Sequence, residues 1–100
     1  MDEPRAFTAE EVTEKILEHI RTMVKYWAEI PGQNIKSRCD GVAFSILAML
    51  DGASLELPAI TLKLDPHESD KDFCINQGEN WFEAGMEIAE PLHELFYKRT

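Results

Sequence analysis

Between residues 8 and 30, apolar side chains at Val12, Ile16, Leu17, Ile20, Met23, Val24, Trp27 and Ile30 recur every three or four positions. That spacing predicts one face of an amphipathic helix. Its start is marked by Thr8 as cap, Glu11 three residues on as capping-box partner, and Phe7 and Val12 at the two staple positions. Pro31-Gly32 ends it, and Glu11–Lys15 and Lys25–Glu29 stand four apart as a solvated outer face.

The pattern then changes character. From about Ile35 to Leu50 a second helix is expected, stopped at Asp51-Gly52 by a glycine that accepts the left-handed cap conformation. Its second half, Val42 to Leu50, is apolar nearly all round. A helix without a polar face is covered on several sides, so it is either the central element of the domain or half of a dimer interface.

After Gly52 the period falls to two. Ile60, Leu62 and Leu64 alternate with Thr61, Lys63 and Asp65, which predicts a half-buried strand introduced by Pro58. Asp65 to Lys71 reads as a polar turn, and Phe73-Cys74-Ile75 as a short strand antiparallel to the first. Asn76 to Gly85 is irregular. From about Glu87 to Arg99, the positions of Ile88, Leu92, Leu95 and Phe96 predict a last helix with Pro91 in its first turn. The expected fold is a single compact α+β domain over 8–100: two N-terminal helices, a two-stranded antiparallel hairpin and a C-terminal helix. Residues 1–7 are expected to be a flexible lead.

One hundred residues suffice for one core. With 44% apolar and 29% charged residues, the composition is that of an ordinary globular chain. The net charge of −9 argues against direct nucleic-acid binding, which needs a basic surface, and against docking on an anionic membrane. The charge is also uneven. Residues 1–50 carry eight acids and six bases, residues 51–100 eleven and four. Asp65, Glu68, Asp70, Asp72, Glu79, Glu83, Glu87, Glu90 and Glu94 share their stretch with one base, Lys71. These acids are expected to form one negative surface. The acidic amino terminus lacks the apolar run of a secretory signal, and Val42 to Leu50 falls well short of the roughly 20 residues that span a bilayer. A cytoplasmic protein with Cys39 and Cys74 as reduced thiols is therefore expected.

Candidate chemistry is sparse. Glu68, Asp70 and Asp72 invite a calcium reading, but no register supplies the ligand spacing and glycine of an EF-hand loop. His19, Cys39, His67, Cys74 and His93 stand singly, without the paired spacing of a zinc site, so no metal or cofactor is expected. Ser45 lies in an apolar helix, and the His93-Glu94 pair lacks a second histidine because Tyr97 occupies that position, so no catalytic residue is assigned. His93 could still act as a general acid–base with an acid from the loop. Trp81 and Phe82, beside Gly78, Glu79 and Asn80, are expected to fold back and seal the core under the last helix. The other reading is a contact loop.

Gly41 to Leu47 with Leu50-Asp51-Gly52, Asp65-Pro66-His67 with Asp70-Lys71, Gly78-Glu79-Asn80-Trp81, and Leu92 to Tyr97 occur in this order. Together they make the chain resemble a family of small acidic bacterial proteins found in mobile-element and prophage settings. The resemblance implies an intracellular accessory protein and transfers no catalytic residue. Two functions follow from the residues. The first is a non-enzymatic interaction protein, as a single chain or a homodimer, that meets a basic protein partner through its acidic C-terminal half. The second is a small enzyme or ligand binder with a site built from His67, Glu79, Asn80, Trp81 and His93.

Overall fold

The structure, a computed structural model, describes residues 3–88 and 91–98. Helix α1 spans Ala9–Glu29 and α2 spans Ile35–Leu50. Strand β1 is Leu62–Lys63, α3 is Asp70–Asn76, β2 is Glu87–Ile88, and α4 is Leu92–Lys98. The fold is α+β, with a minimal sheet.

The capping box at the start of α1 is complete. The Glu11 amide donates to Thr8 Oγ1 at 3.1 Å, and the Thr8 amide donates to Glu11 Oε1 at 2.9 Å. Arg5 adds a two-pronged contact to the same carboxylate, at 2.8 and 3.0 Å. Glu11 thus turns toward Arg5, and Lys15 reaches Glu56 at 3.7 Å instead of Glu11. Phe7 stays exposed, with the Lys15 ammonium over its ring.

Three residues hold α1 against α2. Gly41 is buried under Trp27, so close that a Cβ there would lie 2.3 Å from the indole ring. One turn on, Ser45 Oγ accepts from Trp27 Nε1 at 2.9 Å. From the other side Arg38 donates to the carbonyls of Trp27 (2.8 Å) and Ala28, bases of the last turn of α1 that have no helical donor left. On α2 itself, Asn34 caps the start by accepting from the Ser37 amide. A Schellman motif at Gly52 (φ 87°) closes the end, with Gly52 N–H on Met49 O and Ala53 N–H on Ala48 O. The following loop curls back, and Ile60 N–H donates to Leu50 O at 2.7 Å. Helix α4 also packs against α2. Met49 and Leu57 form the buried apolar core, and the rest of the apolar run on α2 is half-buried.

The C-terminal half departs from expectation in three places. Phe73-Cys74-Ile75 is not a strand but the middle of α3. The neighbouring residues favour the helix: Asp70 and Asp72 sit in its positive first turn, and Gly78 (φ 70°) stops it with a second Schellman motif, Gly78 N–H on Ile75 O and Glu79 N–H on Cys74 O. The strand expected at Ile60–Leu64 shortens to Leu62–Lys63. Its partner is Glu87–Ile88, residues assigned by their spacing to the last helix. Helix α4 accordingly starts at Leu92, with Pro91 at the preceding cap position, where its missing N–H costs nothing and its carbonyl accepts from Leu95.

Candidate functional site

Residues 61–88 form an arm. Its stem pairs Leu62 with Ile88 and Lys63 with Glu87, and continues through Leu64 N–H to Met86 O and Gly85 N–H to Leu64 O, both 2.9 Å. No Cα of β1, α3 or β2 comes within 8 Å of a Cα of α1, α2 or α4. The elements of the arm therefore stand clear of the helices.

The tip is ordered by its own polar contacts. Asp70 Oδ2 accepts from the His67 amide at 3.2 Å, and His67 Nδ1 accepts from the Ser69 amide at 3.2 Å with Ser69 Oγ 2.8 Å away. Trp81 Nε1 donates to Glu83 Oε1 at 2.8 Å. The Lys71 ammonium lies 5.2 Å from the Trp81 ring centroid and 3.9 Å from the same Glu83 oxygen. Trp81, Lys71 and Glu83 thus form a cation–π and carboxylate triangle, in which the one base of the tip is already engaged.

Around this triangle the surface is acidic and apolar at once. Asp65, Glu68, Asp70, Asp72, Glu79, Glu83 and Glu87 are all exposed on the arm. Phe82 is 73% exposed and Phe73 64%. Trp81, also exposed, does not seal the core under α4, and neither does Phe82. The reason is geometric, since the loop that carries them lies between α3 and β2, neither of which approaches α4. Asn80, Trp81 and Glu83 line one shallow hollow of about 400 Å³. A second, of about 140 Å³, lies between Pro66, His67, Lys71, Phe82 and Ala84.

Of the proposed acidic surface, Glu94 lies on α4 and is exposed there, while Glu90 lies outside the described residues. Glu87, expected on the last helix, is in β2.

The five residues of the ligand-site reading are not gathered into one place. His67, Asn80 and Trp81 line the hollows of the tip, and Glu79 follows α3. His93 lies on α4, among the helices. Its acid partner is one that sequence reasoning missed. Asp51, read as a helix stop, is buried at the end of α2, where its Oδ2 accepts from the His93 amide at 2.7 Å and meets His93 Nδ1 at 2.5 Å. Burial pushes the Asp51 carboxyl up. The amides of His93 and Leu92 and the His93 ring outweigh that and hold it below the ordinary aspartate value. Phe44 stacks edge-on against His93 and also meets Tyr97. A carboxylate holding an imidazole in place is half of a catalytic triad. Here it is better described as a long-range cap, because Pro91 has no side-chain oxygen for the start of α4 and Asp51 supplies one. The signal available in the sequence was a lone carboxylate directly after ten residues without a charge.

Cys39 on α2 and Cys74 on α3 are free thiols. Among the described residues no three of His, Cys, Asp or Glu converge on a point where a metal could sit, and no helix is long and apolar enough to cross a membrane. Comparison with family models, with curated proteins and with solved structures gives no match.

Proposed function

We propose that this chain is a non-enzymatic interaction protein whose arm, residues 61–88, engages a basic protein partner. The observation that carries the reading is the arm's combination of surface and placement. Seven acids and two bases share it with exposed Phe73, Trp81 and Phe82, on a segment that supports none of the helices. Aromatic side chains ringed by carboxylates suit a lysine- or arginine-rich surface, offering ion pairs at the rim and ring faces for cations and apolar stems. Exposed aromatics distinguish such a surface from acidity serving solubility alone, which asks for no apolar groups. The accessory-protein role implied by the family resemblance belongs with this reading. An enzyme or ligand site shared between His67 and His93 is the weaker alternative, given their places on the arm and on α4.

Two variants of equal net charge test it. Glu68→Gln, Asp72→Asn and Glu79→Gln together neutralise three arm acids, while Glu10→Gln, Glu14→Gln and Glu29→Gln neutralise three exposed acids on α1. In a pull-down, the unmodified chain and the α1 variant should retain basic proteins that come off between low and moderate salt. The arm variant should not. Screening over about 8–10 Å near physiological ionic strength sets that salt range. Equal capture by both variants, or capture indifferent to salt, would reject the proposal.

A further inference from the structure

We infer that the groove between α1 and α2 is the face on which a second copy of this chain docks, so that the protein works as a dimer with two arms. The first observation is area. A folded monomer of 11.4 kDa is expected to expose about 5,800 Å². This chain exposes 8152 Å², about 2,400 Å² more than that expectation. Its radius of gyration is 17.9 Å, against about 13 Å for a close-packed chain of this length. A stable dimer covers roughly 800 Å² or more on each partner, and obligate ones more. The arm and the helices share this excess, and an interface on the helical face draws on roughly 800 Å² of it.

The second observation locates the face. On α1, Ile16, Ile20, Met23 and Trp27 are half-buried. Leu17, Val24 and Ala28 form the adjacent stripe and stay exposed, Val24 at 47%. On α2, Ile35, Cys39, Val42 and Ile46 repeat at the same helical spacing, with Ile35 82% exposed. The two stripes flank a groove of about 260 Å³, lined almost wholly by carbon between Val24, Trp27, Ile35, Cys39 and Val42. Two helical hairpins meeting on such a seam make a four-helix bundle.

The third observation selects the occupant. Residues 9–50 carry six acids and five bases, nearly neutral within a chain of −9, whereas the arm carries seven and two. Two copies repel least where each is neutral, and that is the helical hairpin. A basic partner finds no acid lining this groove, since its charged member is Arg38, already bonded to the end of α1. The inference does not depend on what the arm binds.

Ile35→Glu is the discriminating variant. In a single chain Ile35 packs on little, and a glutamate in the first turn of α2 favours the helix there. Any loss it causes must therefore come through a contact with another molecule. Sedimentation equilibrium of the full chain should give about twice 11.4 kDa for the unmodified protein. Its melting temperature should rise with protein concentration. Ile35→Glu should shift the mass to that of one chain, or lower the melting temperature if the single chain does not hold. Phe82→Glu, on the arm tip, should leave the dimer intact. An unmodified chain that is monomeric throughout the micromolar range would overturn the inference, as would an Ile35→Glu variant with unchanged mass and melting temperature. Loss of the dimer in Phe82→Glu alone would overturn it too, by placing the interface on the arm.

Discussion

Asp51 is the side chain on which the C-terminal helix depends. It is buried, it accepts from the His93 amide and ring, and its other oxygen, Oδ1, has no hydrogen-bond partner among the described residues. Asp51→Ala removes the acceptor and should cost roughly 1–3 kcal/mol, read as a lower denaturant midpoint. The pH dependence has a fixed sign. The carboxyl is held below its ordinary value in the folded chain, so its contribution is present above the ordinary aspartate pKa. It is lost as pH falls through the folded value. Asp51→Asn should therefore flatten the acid limb of the stability curve, and an unchanged limb would show that the carboxylate contributes nothing. Glu11 behaves in the same direction, held down to about 2 by Arg5 and the Thr8 amide. The start of α1 should fray as pH drops from the ordinary glutamate value toward that figure, which amide exchange at residues 9–12 would report. The Glu11 cap was legible in the sequence because its partners lie within three residues. The Asp51 latch was not, because its partner is 42 residues away and no local pattern encodes that pairing.

Among the elements, α1 and α2 followed from periodicity and caps, and their ends fall within a residue or so of the expected bounds. They are long enough for spacing to dominate. The short elements were misread for the opposite reason. Three residues, Phe73-Cys74-Ile75, have strand-forming side chains, yet the acids of the first turn and the Gly78 stop favour a helix there, and β1 pairs with Glu87–Ile88. How closely the two long helices approach is set by Gly41. Gly41→Ala puts a methyl carbon into the Trp27 ring and should cost roughly 1–3 kcal/mol through overpacking, with the Trp27–Ser45 hydrogen bond strained as well. Met49→Ala, at the fully buried centre of the packing, should cost roughly 2–5 kcal/mol. Denaturation midpoints of the two variants check both values, and a midpoint unmoved by either would mean that α2 is not the central element.

Taken whole, the molecule separates two kinds of surface. The helices carry a near-neutral apolar seam, and the arm carries acids and exposed aromatics beyond them. The concentration of charge in the C-terminal half was visible in the sequence. That most of these acids sit on elements set apart from the helices was not, since separation depends on contacts that are not made and leaves no periodic trace. The proposed division of labour, with copies meeting on the helices and a basic partner on the arm, predicts where a cationic probe will bind. Titrating isotope-labelled protein with a lysine-rich peptide while following backbone amide shifts should move the signals of residues 61–88, with α1 and α2 left nearly still and the shifts reversed by moderate salt. Shifts spread over every exposed acid, with Glu10, Glu14 and Glu29 responding as strongly as Asp72 and Glu79, would show that the arm is no recognition surface.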